Sequence, residues 1–206
     1  MTPDEALFNA AQVGDINFVI YLVQSRRIVN LNYHNSDGWT PLMIATRHNH
    51  KDIVAFLIHS GADVEARGID SPTALCVAAG NGHLKIVQLL VDSGAAIDRA
   101  MAEGLTPLLS ASAQGHADVV LSLVERGAAL DHQSGTLETA LHLAVRAKQI
   151  DVIKTLVQGG ASVRVRDNNL STPVIVAPEE GATAFFRQFY KGVYVTASGY
   201  DRESSI

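Results

Sequence analysis

The sequence predicts an all-α solenoid: four full helix-turn-helix repeats between an N-terminal cap repeat and a partial C-terminal cap repeat. Three observations predict it. Threonines stand at positions 40, 73, 106, 139 and 172, each 33 residues after the last, and a fixed period of that length marks a stacked array. Each threonine opens the same kind of word: TPLMIA, TALCVA, TPLLSA, TALHLA and TPVIVA. A second word follows in register: HKDIVAFLIHSGAD from His50, HLKIVQLLVDSGAA from His83, HADVVLSLVERGAA from His116 and QIDVIKTLVQGGAS from Gln149.

The N-terminal unit begins almost at once. Thr2, Pro3 and Glu5 read as a capping box with proline in the first turn. Ala6, Leu7, Ala10, Ala11 and Gly14 match Pro41, Leu42, Ala45, Thr46 and Asn49 at an offset of 35. That offset implies an insertion of two residues, placed in the Arg26–Asn30 stretch. Asp4, Glu5, Asn9, Gln12 and Gln24 give this unit the polar outer face of a cap.

The unit at 35–67 shows what one repeat builds. Thr40 is a good N-cap and Pro41 suits the first helical position, where a missing N–H costs nothing. Leu42, Ile44 and Ala45 begin an apolar stripe that ends near Asn49. A second helix reads from Lys51 to about Ser60, with Ile53, Val54, Leu57 and Ile58 on one face. Gly61 supplies the left-handed residue that stops it. The chain then runs extended from Ala62 to Gly68 into the next turn. Such a unit cannot bury its own apolar face, so neighbours must stack. Ala45, Ala78, Ala111, Ala144 and Ala177 share one position, where only a small side chain lets helices approach closely. Gly61, Gly94, Gly127 and Gly160 share another.

The last unit departs from the pattern. Ala177-Pro178 follows its threonine word, and Phe185, Phe186, Phe189 and Tyr190 fall on the places of Ile53, Val54, Leu57 and Ile58. Two readings stand: large rings that cap the end of the core, or an aromatic docking surface. Residues 191–206 read as a tail or a linker. The resulting bounds are 1–34, 35–67, 68–100, 101–133, 134–166 and 167–190, with the repeat domain spanning 1–190.

The chain resembles the ankyrin repeat family, whose 33-residue unit carries T-P-L-H-x-A. The resemblance covers nearly the whole sequence. Only His142 occupies the fourth place of that motif; Met43, Cys76, Leu109 and Ile175 replace it elsewhere. A threonine-to-histidine hydrogen bond of the family type is therefore expected in one repeat only. Leu137 and Leu170 stand where Gly38 and Gly104 make the turn, so the last hairpins are expected to be distorted.

Composition narrows the function classes. An apolar content of 47% over 206 residues suits one folded domain. No run reaches membrane-spanning length and no signal peptide opens the chain, so a soluble, cytoplasmic protein is expected, with the nucleus as the alternative. The lone Cys76 excludes an internal disulfide, fits a reducing compartment and reads as a buried, inert thiol. A net charge of −5 argues against nucleic-acid binding.

Catalytic, cofactor and metal constellations are not expected. His50, His83 and His116 recur at one place, but adjacent repeats stack at about 8–10 Å, whereas ligands of one zinc lie about 2 Å from the metal. Histidines that bond backbone between repeats fit the ladder better. The Gly80-Asn81-Gly82 run is an inter-helix turn: Lys85 stands where a dinucleotide fingerprint needs its third glycine. Glu65, Asp98 and Asp131 likewise form a ladder and not a catalytic pair.

The resemblance implies a recognition scaffold that uses the hairpin tips and the inner face of the first helices. By register those places hold Trp39, Arg47, His48 and Arg67, then Ile69, then Glu103 and Leu105, then Glu138, Arg146 and Arg166. They vary from copy to copy while the core words stay fixed. Trp39, Ile69 and Leu105 fall at exposed hairpin places, either as anchors of the kind that make hot spots or packed on neighbouring loops. Residues 101–133 hold four acidic and one basic side chain; residues 134–166 hold two acidic and five basic. Arg146, Lys148, Arg164 and Arg166 would thus place a basic patch beside an acidic one. The expected function is a protein-interaction module for another protein or peptide, without catalysis. The alternative is the targeting domain of a larger enzyme such as a kinase or acyltransferase. Ser204-Ser205-Ile206 also resembles the C-terminus captured by PDZ domains, a role that requires the natural chain to end there.

Overall fold

In the computed structural model, residues 1–25, 29–68 and 71–176 are described. They hold five antiparallel helix pairs: α1 (Pro3–Val13) with α2 (Ile16–Gln24), α3 (Pro41–Arg47) with α4 (Lys51–His59), α5 (Ala74–Gly80) with α6 (Leu84–Asp92), α7 (Pro107–Gln114) with α8 (Ala117–Glu125), and α9 (Ala140–Arg146) with α10 (Ile150–Gln158). The odd-numbered helices pack successively into an inner row and the even-numbered ones into an outer row. A 3-10 turn at Ala102–Gly104 is the one other helical segment among the described residues.

Local chemistry starts each first helix where the sequence predicts. Thr2 and Glu5 form the capping box, with Thr2 N donating to Glu5 Oε2 at 2.8 Å and Glu5 N to Thr2 Oγ1 at 3.2 Å. Thr40, Thr73, Thr106 and Thr139 each accept an amide N–H from the third residue on, which satisfies one of the four donors a helix start leaves free. Each of these threonines is buried. The second helices lack side-chain caps at His50, His83, His116 and Gln149. The three histidine side chains serve the neighbouring repeat instead. His50 Nε2 donates to Gln12 O at 3.1 Å, His83 Nε2 to Arg47 O at 3.3 Å and His116 Nε2 to Gly80 O at 3.1 Å. A carbonyl only accepts, so each ring carries its proton on Nε2.

The inner helices touch because their facing residues are small. Ala45, Ala78, Ala111 and Ala144 are wholly buried; Ala177 lies outside the described residues. Outward of them, Val19, Leu22, Ile53, Leu57, Ile86, Leu90, Val119, Leu123, Val152 and Leu156 continue the core through every pair. The turn between paired helices needs a left-handed residue. At Gly82, φ is +74° and an added Cβ would sit 2.6 Å from the His116 ring, so the cross-repeat histidine bond depends on a missing side chain there. Asn49 and Lys148 take the same turn place at φ 60° and 59°.

A second ladder stitches the outer loops. Asn32 Oδ1 accepts from Asp63 N at 2.9 Å, Glu65 Oε1 from Ala96 N at 2.9 Å, Asp98 Oδ1 from Ala129 N at 2.9 Å and Asp131 Oδ1 from Ser162 N at 2.8 Å. Every one of these bonds spans 31 residues. The acidic ladder in the sequence is thus a set of staples. It also bounds the insertion in the first unit: Ser25 still matches Ser60 at an offset of 35, and Asn32 already matches Glu65 at 33. Of the intervening stretch, residues 26–28 lie outside those described.

Two expectations need correction. The hairpins at Leu137 and Leu170 are not distorted. Leu137 N donates to Ser134 O and Leu170 N to Asp167 O, both at 2.9 Å, as Gly38 N does to Asn35 O at 3.0 Å. The leucines simply adopt φ of 57° and 59°, at a cost of about 1–2 kcal/mol each for an L side chain in the left-handed region. The first unit is also less polar outside than a cap would be: Val13, Phe18 and Tyr21 are exposed, with the Phe18 and Tyr21 rings stacked at 6.1 Å. Phe185, Phe186, Phe189 and Tyr190, and the tail from 191, lie outside the described residues.

Leu90 is fully buried at the centre of the stack. Leu90→Ala should cost about 2–5 kcal/mol, the usual range for a large-to-small core change. Urea denaturation reads it, and the loss should appear in the unfolding of the neighbouring repeats too, since each depends on its neighbour's interface. An unchanged midpoint would contradict the packing described.

Candidate interaction surface

Three of the inner hairpins, those opening at Asn35, Ser134 and Asp167, share one construction. In each the first residue sets the turn with its side chain. Asn35 Oδ1 accepts from Asp37 N and Trp39 N at 3.1 and 2.8 Å. Ser134 Oγ accepts from Thr136 N and Glu138 N at 3.3 and 3.2 Å. Asp167 Oδ1 accepts from Asn169 N and Ser171 N at 2.8 and 2.9 Å. Turn-initiating Asn, Ser and Asp are favoured for this reason. Adjacent tips are then tied main chain to main chain: Gly68 N donates to Gly38 O at 3.0 Å, Gly135 N to Glu103 O at 2.6 Å and Asn168 N to Thr136 O at 3.1 Å.

On this frame the predicted binding residues divide into two kinds. Some are spent on the fold. Arg67 Nη1 donates to Ser71 O and Ala100 O at 3.3 and 3.5 Å. Gln133 Nε2, at the same register two repeats on, donates to Leu137 O and Arg166 O at 2.7 and 3.0 Å. Arg67 is therefore chiefly a hairpin clamp. Trp39 and Leu105 are not exposed tips; both are half-buried and pack against the core, because the residue before each buried N-cap threonine is drawn toward the stack. Glu138 holds Thr136 Oγ1 at 2.8 Å and Arg146 Nε at 2.6 Å.

Arg146 departs most from the sequence reading. Its Nη2 also lies 2.8 Å from Asp167 Oδ2, so it bridges two carboxylates and is not a free steering charge. The Asp167 side chain is only 1% exposed. Burial opposes its ionisation, but the Ser171 and Asn169 amides and the Arg146 guanidinium outweigh that, and the carboxyl is held below its ordinary value. Beside it, His142 is fully buried with both ring nitrogens satisfied: Thr139 N donates to Nδ1 at 3.2 Å, and Nε2 donates to Ser171 O at 3.0 Å. The expected threonine-to-histidine bond is present, with Thr139 Oγ1 2.9 Å from Nδ1. Sequence reasoning missed Asp167, although its register with Asn35 and Ser134 marked it as a turn-setting side chain.

The others remain presented to solvent. Arg47 is exposed and lies over the Trp39 ring, 5.3 Å from its centroid, within cation–π range. His48 is exposed and stacks on His50 at 5.9 Å. Glu103, at φ 62°, and Arg166 are exposed at the tips. Ile69 and Ser204 to Ile206 lie outside the described residues. At the register of Arg47 and Arg146 the two middle repeats carry Gly80 and Ala113, so two large side chains bracket a low floor.

The Cys76 thiol is buried, bonds toward Arg99 O at 3.5 Å and is pushed up by burial, which opposes the thiolate. Among the described residues no group of three metal-ligating side chains converges, and no helix is long and apolar enough to cross a membrane.

Comparison with known proteins fits this architecture. The family model described as Ankyrin repeats (3 copies) matches residues 2–68 and 65–134, and the one described as Ankyrin repeat matches 136–168. Similar relatives include Alpha-latrocrustotoxin-Lt1a of Latrodectus tredecimguttatus, 42% identical over 65 residues (32% of this chain and 4% of the toxin). Sex-determining protein fem-1 of Caenorhabditis elegans is 33% identical over 79 residues (34% and 12%). Ankyrin repeat domain-containing protein 40 of Homo sapiens is 45% identical over 62 residues (30% and 16%). The chain thus spans a small part of the length of each.

Because Asp167 ionises more readily folded than unfolded, its carboxylate stabilises the fold at pH above its ordinary value of 3.8, and that contribution fades as pH falls below it. Asp167→Asn should therefore lower Tm at neutral pH and flatten the fall in Tm between about pH 5 and pH 3; thermal melts across that range read both effects. The cross-repeat histidines have their Nε2 protons committed to carbonyls, so EDTA should leave Tm unchanged, and a drop reversed by zinc would contradict the assignment.

Proposed function

The chain belongs to the ankyrin repeat family, and on that premise we propose that it binds a partner protein or peptide along the concave side of the stack, without catalysis of its own. Repeats of this family are in general protein-interaction modules. The observation that carries the reading is a division of labour. Core, cap and staple positions recur from repeat to repeat and their contacts are made within the stack, while the inner-face positions change from copy to copy and several of them keep exposed side chains. Nothing in the fold requires Arg47, His48, Glu103 or Arg166 to be what they are, so their identities are available for recognition.

The Trp39–Arg47 pair is the anchor. Trp39 packs against the core and the Arg47 guanidinium carbon lies over its ring, 5.3 Å from the centroid, so a partner meets a cation backed by an aromatic ring. Gly80 and Ala113 let a partner backbone come close to the inner helices between Arg47 and Arg146. An acidic end of the partner would face Arg166. The negative net charge of −5 and the shape of the stack speak for protein and not nucleic acid as partner, in the cytoplasm.

Proximity labelling followed by pull-down identifies the partner, and variants then locate it. Arg47→Ala leaves the core intact and should weaken binding by about 1–2 kcal/mol. Trp39→Ala should cost at least about 2 kcal/mol, with some loss of Tm because the ring is half-buried. Arg166→Glu should mainly slow association and flatten its salt dependence. Gln88→Ala on α6 should change nothing; loss of binding there with Arg47→Ala neutral would move the site to the convex side.

A further inference from the structure

Asn81-Gly82 is the one Asn-Gly pair in the sequence, and it lies in the turn between α5 and α6. Such a pair is chemically unstable in an open chain. The Gly82 amide nitrogen, with no side chain to shield it, attacks the side-chain carbonyl carbon of Asn81. The N–Cγ bond forms and the Cγ–Nδ2 bond breaks. The proton of Gly82 N passes through water to the departing nitrogen, which leaves as ammonia. The product is a succinimide ring. One water opens it at either carbonyl, giving aspartate, or isoaspartate in which the main chain runs through Cβ.

The closed turn holds this reaction off. Asn81 caps α5 at φ −99° and ψ 0°. At that ψ its own main-chain nitrogen, and not Cβ, eclipses Gly82 N, so Cγ is turned away from the attacking atom. Asn81 Nδ2 donates to Val77 O at 2.8 Å and Gly82 N to Ala79 O at 3.3 Å, so leaving group and nucleophile are both engaged. The next repeat clamps the turn: His116 Nε2 donates to Gly80 O at 3.1 Å, and its ring leaves no room for a Cβ at Gly82. Asn81 is exposed, so water is at hand whenever the turn opens.

We propose that Asn81 is a self-modification site gated by opening of the α5–α6 turn, and that its conversion keeps the turn from closing as before. Both products fit worse. Neither carboxylate can donate to Val77 O, and each adds negative charge at the C-terminal end of α5, where the helix dipole disfavours it. Isoaspartate also lengthens the main chain where Gly82 must pass the His116 ring. A transient opening of one turn thereby becomes a lasting loss of coupling between the α5–α6 and α7–α8 pairs. The same place in the next repeat carries Gln114-Gly115; glutamine would have to close a larger ring, so that turn lacks the latch.

The test incubates the full chain in mildly alkaline buffer, with and without urea. Mass spectrometry follows the peptides spanning Asn81 and Gln114, and isoaspartyl methyltransferase labelling reports isoaspartate. Asn81 should convert at least about tenfold more slowly in the native chain than in urea, while Gln114 stays intact in both. His116→Ala removes the clamp and neither reacting atom; it should speed native conversion at least about threefold and leave the rate in urea unchanged. Converted chain, separated by ion exchange, should show a lower Tm and faster hydrogen exchange at the α5–α6 turn. Asn81→Gln should hold its Tm through the same incubation. Absence of conversion in urea would overturn the site. Equal rates in native and denatured chain, or no acceleration in His116→Ala, would overturn the gate. Converted chain with unchanged Tm and exchange, or an Asn81→Gln chain that loses Tm as the wild type does, would overturn the latch.

Discussion

Everything in this molecule depends on borrowed satisfaction. A 33-residue unit has one apolar face and a set of loop amides that it cannot cover or bond by itself. The next unit supplies both. Alanines at the inner-helix contact let the apolar faces close, and Asn32, Glu65, Asp98 and Asp131 each reach 31 residues forward to an amide N–H. Histidines reach backward to carbonyls in the preceding turn. Buried polar groups without partners are costly, so the ladders are as necessary as the leucines. Recognition inherits its rigidity from this frame: the inner-face side chains stand on hairpins whose main chains are already bonded to one another.

Much of the fold was legible because it repeats. A threonine followed by an apolar word gives a capped helix from local chemistry alone, and Thr2, Thr40, Thr73, Thr106 and Thr139 all cap as expected. The histidine ladder was readable too, since spacing excluded a shared ion and left main-chain carbonyls as partners. What a period cannot say is which side chains the neighbour consumes. Arg67 and Arg146 look like surface arginines in sequence. Only the stacked geometry brings Arg67 to Ala100 O and Arg146 to Asp167. Trp39 and Leu105 left two readings open for a related reason, and the packed one holds: hairpin position says solvent, but the residue preceding a buried cap is pulled inward.

The candidate surface was legible as a region and not as a set of roles. Register placed Trp39, Arg47, Glu138 and Arg146 on hairpins and helix ends correctly, yet the pairings that decide what each can offer are tertiary. The leucines at 137 and 170 show the converse. Their identity broke a glycine rule, and the expected remedy was a distorted turn. The backbone instead kept the turn and accepted left-handed leucines, because Ser134 and Asp167 fix the surrounding amides. The hydrogen-bond frame outweighs a local steric preference of about 1–2 kcal/mol.

The staples have one more consequence, in kinetics. The side-chain bonds that link one repeat to the next join residues 21 to 38 apart in sequence. The loop that must close to form any of them stays the same size however many repeats the chain contains. Loop-closure entropy therefore does not accumulate, and relative contact order falls as repeats are added. Such a chain can begin folding at whichever adjacent pair of repeats meets first and grow from there by steps of equal difficulty, so length is gained without topological delay.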